Sequence, residues 1–251
     1  MITIPTLSFC ITCKNRIYQI VQTLKKNLED NRLHNDWIEF ILVDFGSTDG
    51  LHDWVMNNFM EDIKTGYLKY FYTDELIDWK CSLAKNTAHW CSQNDIVVNL
   101  DCDNFTGFFG GRYVIKQFLL NRDVVLHQFS GRYNDGTCGR IAVLKKYFEF
   151  VGGYDESFEP HGYQDIDLIH RLVKSGLKYL QITNKKYSSA IINSKDEGIH
   201  YAKSRLTYSE MNESNRKKSL LNISDGNFIV NQGIFGIRKK IYNHDGQLIN
   251  T

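Results

Sequence analysis

A chain of 251 residues, 42% hydrophobic and 24% charged, is long enough to bury a sizeable core and sits in the ordinary globular range. Its 30 basic and 29 acidic residues leave a net charge of +1, so no global field draws in nucleic acid or an acidic polymer. Only 2 prolines are present, no apolar run approaches the roughly 20 residues of a membrane span, and no basic segment leads into an apolar signal core at the N-terminus. The 6 cysteines show no secreted-scaffold density and suit a reducing compartment, and Cys10-x-x-Cys13 ends an apolar strand pattern with no second such pair, which reads as packing. The expectation is one cytoplasmic α/β domain. Scattered pairs such as Lys25-Lys26 and Lys217-Lys218 read as solvated surface, with peripheral contact at the inner face of a membrane as the other reading.

In chain order, Thr6 to Thr12 reads as a buried strand and Ile17 to Leu28 as a helix. Ile38 to Asp44 is a nearly continuous apolar run entering Gly46-Ser47-Thr48-Asp49-Gly50, as a central parallel strand enters a loop. Trp54 to Ile63 predicts a helix, Leu68 to Tyr72 a strand, Cys81 to Trp90 a helix and Asp95 to Asp101 a strand. Asp44 and Asp101 thus stand at strand ends, where open α/β sheets place ligands, and both are expected to line one crevice. Further on, helices are predicted at Tyr113 to Leu120, Leu144 to Val151 and Gln164 to Ser175. Strands are predicted at Val124 to Phe129, Gly139 to Val143 and Leu177 to Thr183. From Ser188 the polar sequence suggests loops and short helices wrapping a site. The chain divides into a half at about 1–104, a second half at about 105–204 and an extension at about 205–251.

Asp101-x-Asp103 supplies two hard oxygen donors that suit Mg²⁺ or Mn²⁺ on a diphosphate. Alone the pair is ordinary turn chemistry. Its context is Ile11-Thr12-Cys13-Lys14-Asn15-Arg16, Val43-Asp44-Phe45-Gly46-Ser47-Thr48-Asp49-Gly50, Leu83-Ala84-Lys85-Asn86 and Asn99-Leu100-Asp101-Cys102-Asp103-Asn104, in that order. Gly152-Gly153-Tyr154-Asp155-Glu156 and Gly162-Tyr163-Gln164-Asp165-Ile166-Asp167 follow. The ordered set, over about residues 6–200, resembles inverting family-2 glycosyltransferases, and its last two segments are similar to acceptor-side elements of β-1,4-galactosyltransferases.

The resemblance implies a GT-A fold, a mixed Rossmann-like sheet flanked by helices in one catalytic domain. It implies an inverting transfer of a hexose or N-acetylhexosamine from a UDP-sugar to a hydroxyl of a glycan or lipid-linked glycan, in bacterial surface polysaccharide synthesis. Thr12 and Asp44 match positions that contact uridine, and Arg16 and Lys85 positions near uracil or phosphate. Phe45 stands where the family has a second acid, either stacking on the base or packing. Asp101 faces ribose or a metal-bound water, Asp103 and His200 hold Mn²⁺ or Mg²⁺, and Asp165 is the catalytic base. His161, Tyr163 and Gln164 lie on the acceptor side, Gln164 replacing the usual Glu. Trp79, Tyr133 and Tyr163 are candidates for stacking on sugar rings. Two other classes fit less well: a nucleotidyltransferase, which expects a Gly-rich phosphate loop that Thr12 to Arg16 lacks, and a binding subunit of the same fold with weakened turnover.

Overall fold

Two seven-residue apolar runs make the centre of the sheet. β1 (Leu7–Cys13) and β2 (Ile38–Asp44) are buried at every position, as parallel strands covered on both faces must be. They pair in parallel from Leu7 opposite Ile38 to Cys13 opposite Asp44. The computed structural model describes residues 3–133, 135–194 and 199–249. β3 (Leu68–Tyr72) extends the sheet beyond β2, and β4 (Ile96–Asn99) flanks β1 on its other side, both parallel to their neighbours. β5 (Asn104–Phe105) leaves this sheet. β6 (Val124–His127), β7 (Ile141–Leu144) and β8 (Lys178–Gln181) add the second wing, β7 antiparallel to both β4 and β6 and β8 parallel to β6. β9 (Ser189–Ala190) pairs with β5 in a separate two-stranded sheet. β10 (Tyr242–Asn243) closes the far edge antiparallel to β3, giving the order β10-β3-β2-β1-β4-β7-β6-β8.

Successive side chains of a strand point to opposite faces, and β1 feeds two cores accordingly. Phe9 and Ile11 join Ile20 and Leu24 of α1 (Ile17–Asn31), Val55 of α2 (Leu51–Lys64) and Phe118 of a later helix. Cys10 faces Ala84 and Ala88 of α3 (Cys81–Trp90) in the opposite core. α4 (Gly110–Leu120) covers the first face, and α5 (Lys145–Phe150) and α6 (Gln164–Lys174) cover the second. Both Cys10 and Cys13 are buried free thiols.

Two expectations are corrected. β4 ends at Asn99 rather than at Asp101, because the chain turns there: the Asn104 amide donates to the Asp101 carbonyl at 2.9 Å. The polar C-terminal region is not only loops and short helices but forms the 17-residue α7 (Tyr208–Ser224). Its start is a capping box, in which Glu210 N–H meets the Thr207 hydroxyl and the Glu210 carboxylate accepts from Thr207 N–H.

Candidate active site

The order β3-β2-β1-β4 reverses direction of winding at β1, so the crevice beyond the C-terminal ends of β1 and β4 is where a ligand is expected. A cavity of about 300 Å³ opens there. Thr12 and Arg16 from the first strand and its loop, Asp101 and Asp103 from the turn after β4, and His161, Gln164 and Asp165 from the start of α6 and the loop before it all line it. Residues separated by some 150 positions in sequence thus converge on one space.

The turn bearing the acids is pinned by three hydrogen bonds, two from α1 and one from the segment that follows β9. Thr23 of α1 donates its hydroxyl to the Cys102 carbonyl at 2.6 Å, Asn27 Nδ2 to the Asn104 carbonyl at 2.8 Å, and the Ile191 amide to the Asp103 carbonyl at 2.8 Å. The last bond continues the β5–β9 pairing. Burial and the neighbouring Asp101 carboxylate push the Asp103 carboxyl up to about 6. Burial opposes ionisation of Asp101 as well, but Lys85, Asn99 and Arg140 outweigh it and hold that carboxyl below the ordinary range.

Lys85 is buried, with Nζ 2.8 Å from Asp165 Oδ1 and 3.4 Å from Asp101 Oδ1. Burial works against its charge, yet the two carboxylates hold the ammonium well above its usual range. The neighbouring Asn86 explains the second glycine of the later Gly-Gly motif: its Nδ2 donates to the Tyr154 carbonyl and to Glu156, each at 2.8 Å, and its Oδ1 accepts from Tyr154 N–H at 2.7 Å. A Cβ on Gly153 would stand 2.4 Å from that Oδ1, so only glycine lets the segment dock. Gly139 is similarly constrained, since a Cβ there would lie 2.6 Å from Asp101 Oδ2 and 3.1 Å from Lys85 Nζ.

Asp165 lies in the first turn of α6, where negative charge is favourable. The helix has no side-chain cap, and the carboxylate instead accepts from Lys85 and, at 3.3 Å, from Gln164 Nε2. Gln164 Oε1 and His161 Nδ1 are buried atoms without a hydrogen-bond partner, each on a residue that lines the cavity. Burial and Lys85 push the His161 ring down to about 4, so it is neutral near pH 7. α7 braces this side, because Asn215 Nδ2 donates to the carbonyls of Glu159, His161 and Gly162 while its Oδ1 accepts from Glu159 N–H at 2.7 Å. Asp167 is turned away and buried in an ion pair with Arg171 at 2.7 Å, a supporting position.

Four expected positions fall elsewhere. Asp44 is fully buried outside the cavity wall, with Oδ1 accepting from Ser47 N–H and Oδ2 from the Tyr70 hydroxyl, each at 2.8 Å. It shapes the 44–50 loop, whose Asp49 in turn accepts from Ile17 N–H at the start of α1. Phe45 is packed edge-on against Trp79, with ring centroids 5.8 Å apart, and has no free face for a base. Tyr163 turns its ring to His170 rather than into the cavity. His200 is exposed, stacked edge-on to Tyr201 and absent from the cavity wall, although Tyr201 itself reaches it. Among the described residues no group of three His, Cys, Asp or Glu side chains is placed to hold a metal ion. Trp79 and Tyr133 do line the cavity, as do Lys14, which lies in the first motif but carries no expected role, and Asn193 and Tyr208, which the motifs do not mark.

A mixed sheet with this strand order, flanked by helices and carrying its acids beyond β4, defines the GT-A fold of glycosyltransferases. Residues 121–192 match the family described as the N-terminal domain of galactosyltransferase. Among solved structures, the mannosyltransferase PcManGT from Pyrobaculum calidifontis in complex with GDP-Man and Mn²⁺ superposes with a TM-score of 0.60 at 17% identity, over 72% of this chain and 56% of that one. TarS from S. aureus in complex with UDP-GlcNAc superposes with a TM-score of 0.63 at 13% identity, over 82% of this chain and 64% of that one. The chain therefore spans less than two thirds of the length of either. No curated protein matches it significantly in sequence.

Proposed function

We propose that the protein is a divalent-cation-dependent, inverting glycosyltransferase that moves a hexose or N-acetylhexosamine from a UDP-sugar to a hydroxyl of a glycan or lipid-linked glycan acceptor, in bacterial surface polysaccharide synthesis. One observation carries the reading: Asp101, Asp103 and Asp165 face a single cavity with Lys85 between the first and the last. Nucleoside diphosphate sugars are bound in both structural neighbours named above, and uridine follows from the resemblance at Thr12 and Arg16.

In this reading Asp165 takes the proton from the attacking acceptor hydroxyl. Gln164 Oε1 and His161 Nδ1, unpartnered in the cavity wall, accept hydrogen bonds from acceptor hydroxyls. Arg16 stands on the donor side, where a guanidinium suits phosphate oxygens. The donor set fits Mn²⁺ or Mg²⁺: two hard carboxylates, one of them held up at about 6 by burial and by its neighbour, a situation a cation relieves. Asp103 and Asp101 would hold it, with the remaining positions falling to diphosphate oxygens and water. When bound, the cation supplies neutralisation of charge on the leaving diphosphate. His200, exposed and off the wall, has no part in this proposal.

The experiment is release of UDP from a panel of UDP-sugars with Mn²⁺ and a mixed glycan acceptor. Asp165→Asn is expected to lose transfer by about 100-fold or more while UDP-sugar still raises the melting temperature. Full transfer in that variant would sink the base assignment. The ion pair of Asp165 with Lys85 favours one second reading, a nucleotide-sugar-binding subunit with weakened turnover. It predicts the thermal shift without UDP release in the unmodified chain.

A further inference from the structure

Both carboxylate oxygens of Asp103 stand at the end of a relay of side-chain amides, and each relay starts at an arginine. On one side Arg140 donates to Asn104 Oδ1 at 3.1 Å and to the Phe105 carbonyl at 3.0 Å. A guanidinium has donors only, so it must meet the amide oxygen. Asn104 Nδ2 is thereby left to donate to Asp103 Oδ1 at 2.6 Å and to the Gly136 carbonyl at 3.2 Å. On the other side Arg16 donates to Gln19 Oε1 at 2.9 Å, Gln19 Nε2 donates to Asn193 Oδ1, and Asn193 Nδ2 donates to Asp103 Oδ2 at 2.5 Å. The direction of every bond in the two relays follows from the guanidinium groups at their ends.

Arg140 is costly where it stands. It is 1% exposed, and its Nε and one terminal nitrogen have no partner. Burial pushes its guanidinium down to about 10 against the pull of Asp101 and Asp103. A buried cation bonded through a single nitrogen is a poor source of stability, and its bonds lead only to the acid turn. Each Asp103 oxygen that accepts one amide N–H keeps a further lone pair for a cation.

We infer that Arg140, Asn104 and Asn193 are positioning residues that fix both oxygens of Asp103 and thereby set the affinity of the site for a divalent cation. The inference rests on the proposed role of Asp103 as a metal-facing carboxylate. Removing outer partners of a metal ligand weakens affinity by about 10–100-fold.

The test is titration of the full chain with Mn²⁺ in the presence of UDP, following the electron paramagnetic resonance signal of free Mn²⁺. Asn104→Ala and Asn193→Ala should each weaken Mn²⁺ binding by about 10-fold or more. Because Arg140 acts through Asn104, Arg140→Met combined with Asn104→Ala should weaken it no further than Asn104→Ala alone. Asn104→Ala combined with Asn193→Ala, one from each relay, should weaken it further than either change alone, since each removes a different bond to Asp103. A general loss of structure would not give this pattern. Should Arg140→Met fail to fold, Asn193→Ala, a change on a half-buried loop side chain, decides alone. Unchanged Mn²⁺ affinity in the Asn104 and Asn193 variants overturns the inference, provided Asp103→Asn abolishes binding. Binding that survives Asp103→Asn overturns the metal reading itself.

Discussion

Lys85 Nζ lies 2.8 Å from Asp165 Oδ1, and the same ammonium reaches Asp101 Oδ1 at 3.4 Å. One buried cation is therefore shared by the carboxylate assigned to the donor side and the one assigned to the acceptor side. The arrangement holds two acids of opposite assignment at a fixed separation before any ligand arrives.

Removing that cation while keeping its aliphatic stem isolates the effect. Lys85→Met takes from Asp101 and Asp165 the one cation they share, leaving only the Asn99 and Gln164 amides and the more distant Arg140, and breaking a buried pair from one side costs about 3–5 kcal/mol. Urea unfolding should show a loss of that order, together with loss of transfer. A loss below about 1 kcal/mol would mean that solvent already screens the two acids.

The central strands were legible because parallel strands buried on both faces leave unbroken apolar runs: β2 spans Ile38 to Asp44 as expected, and α3 spans Cys81 to Trp90. The acid at a strand end was a weaker sign. Asp44 and Asp101 look alike in sequence, yet Tyr70 and Ser47 fill the oxygens of the first and draw it into the interior. Nothing local distinguishes the two. Asn193 lies 90 positions from Asp103, and no spacing rule links them; only the β5–β9 pairing brings them together. α7 carried a readable start signal in Thr207-x-x-Glu210, but it lacks the apolar stripe that announces a helix, with few of its residues buried.

Protonation should act on stability through the buried histidines. The folded-state values of His161, about 4, and His89, about 3, lie below the ordinary 6.5. Between those limits the unfolded rings bind more protons, so the histidines' contribution to stability is present above 6.5 and is lost as pH falls toward 4, while Asp103, held up at about 6, contributes with the opposite sign. Each such proton contributes a slope of about 1.4 kcal/mol per pH unit. His161→Asn should remove one proton's share of the slope and leave that of His89, as measured by urea midpoints at pH 4.5, 5.5 and 6.5 (about one-unit steps). An unchanged slope would show that His161 titrates as an exposed ring does.

Gly139 tests the placement of Asp101. It is not in the left-handed region, so alanine is conformationally acceptable, but the added Cβ would meet Asp101 Oδ2 at 2.6 Å. Gly139→Ala must displace the carboxylate from Lys85, at a cost of about 1–3 kcal/mol for overpacking. UDP-sugar should then lose most of its stabilising effect in a thermal-shift assay, while the fold persists by circular dichroism. Retained donor binding would show that Asp101 yields without consequence.

Gln164 tests the acceptor side. Its Nε2 donates to Asp165 Oδ2 at 3.3 Å, and its Oε1 is buried without a partner. Gln164→Glu, which restores the residue expected from the family resemblance, removes the donor and sets a second carboxylate beside Asp165. Two carboxylates sharing a site cannot both ionise readily, so the acidic limb of the pH–rate profile should move to higher pH. The unpartnered acceptor also becomes an anion, which hydrogen-bonds acceptor hydroxyls more strongly, so KM for the acceptor should fall even as activity on that limb declines. A variant with an unmoved profile and an unchanged KM would place Gln164 outside the acceptor contact and leave its unpartnered oxygen without a role in transfer.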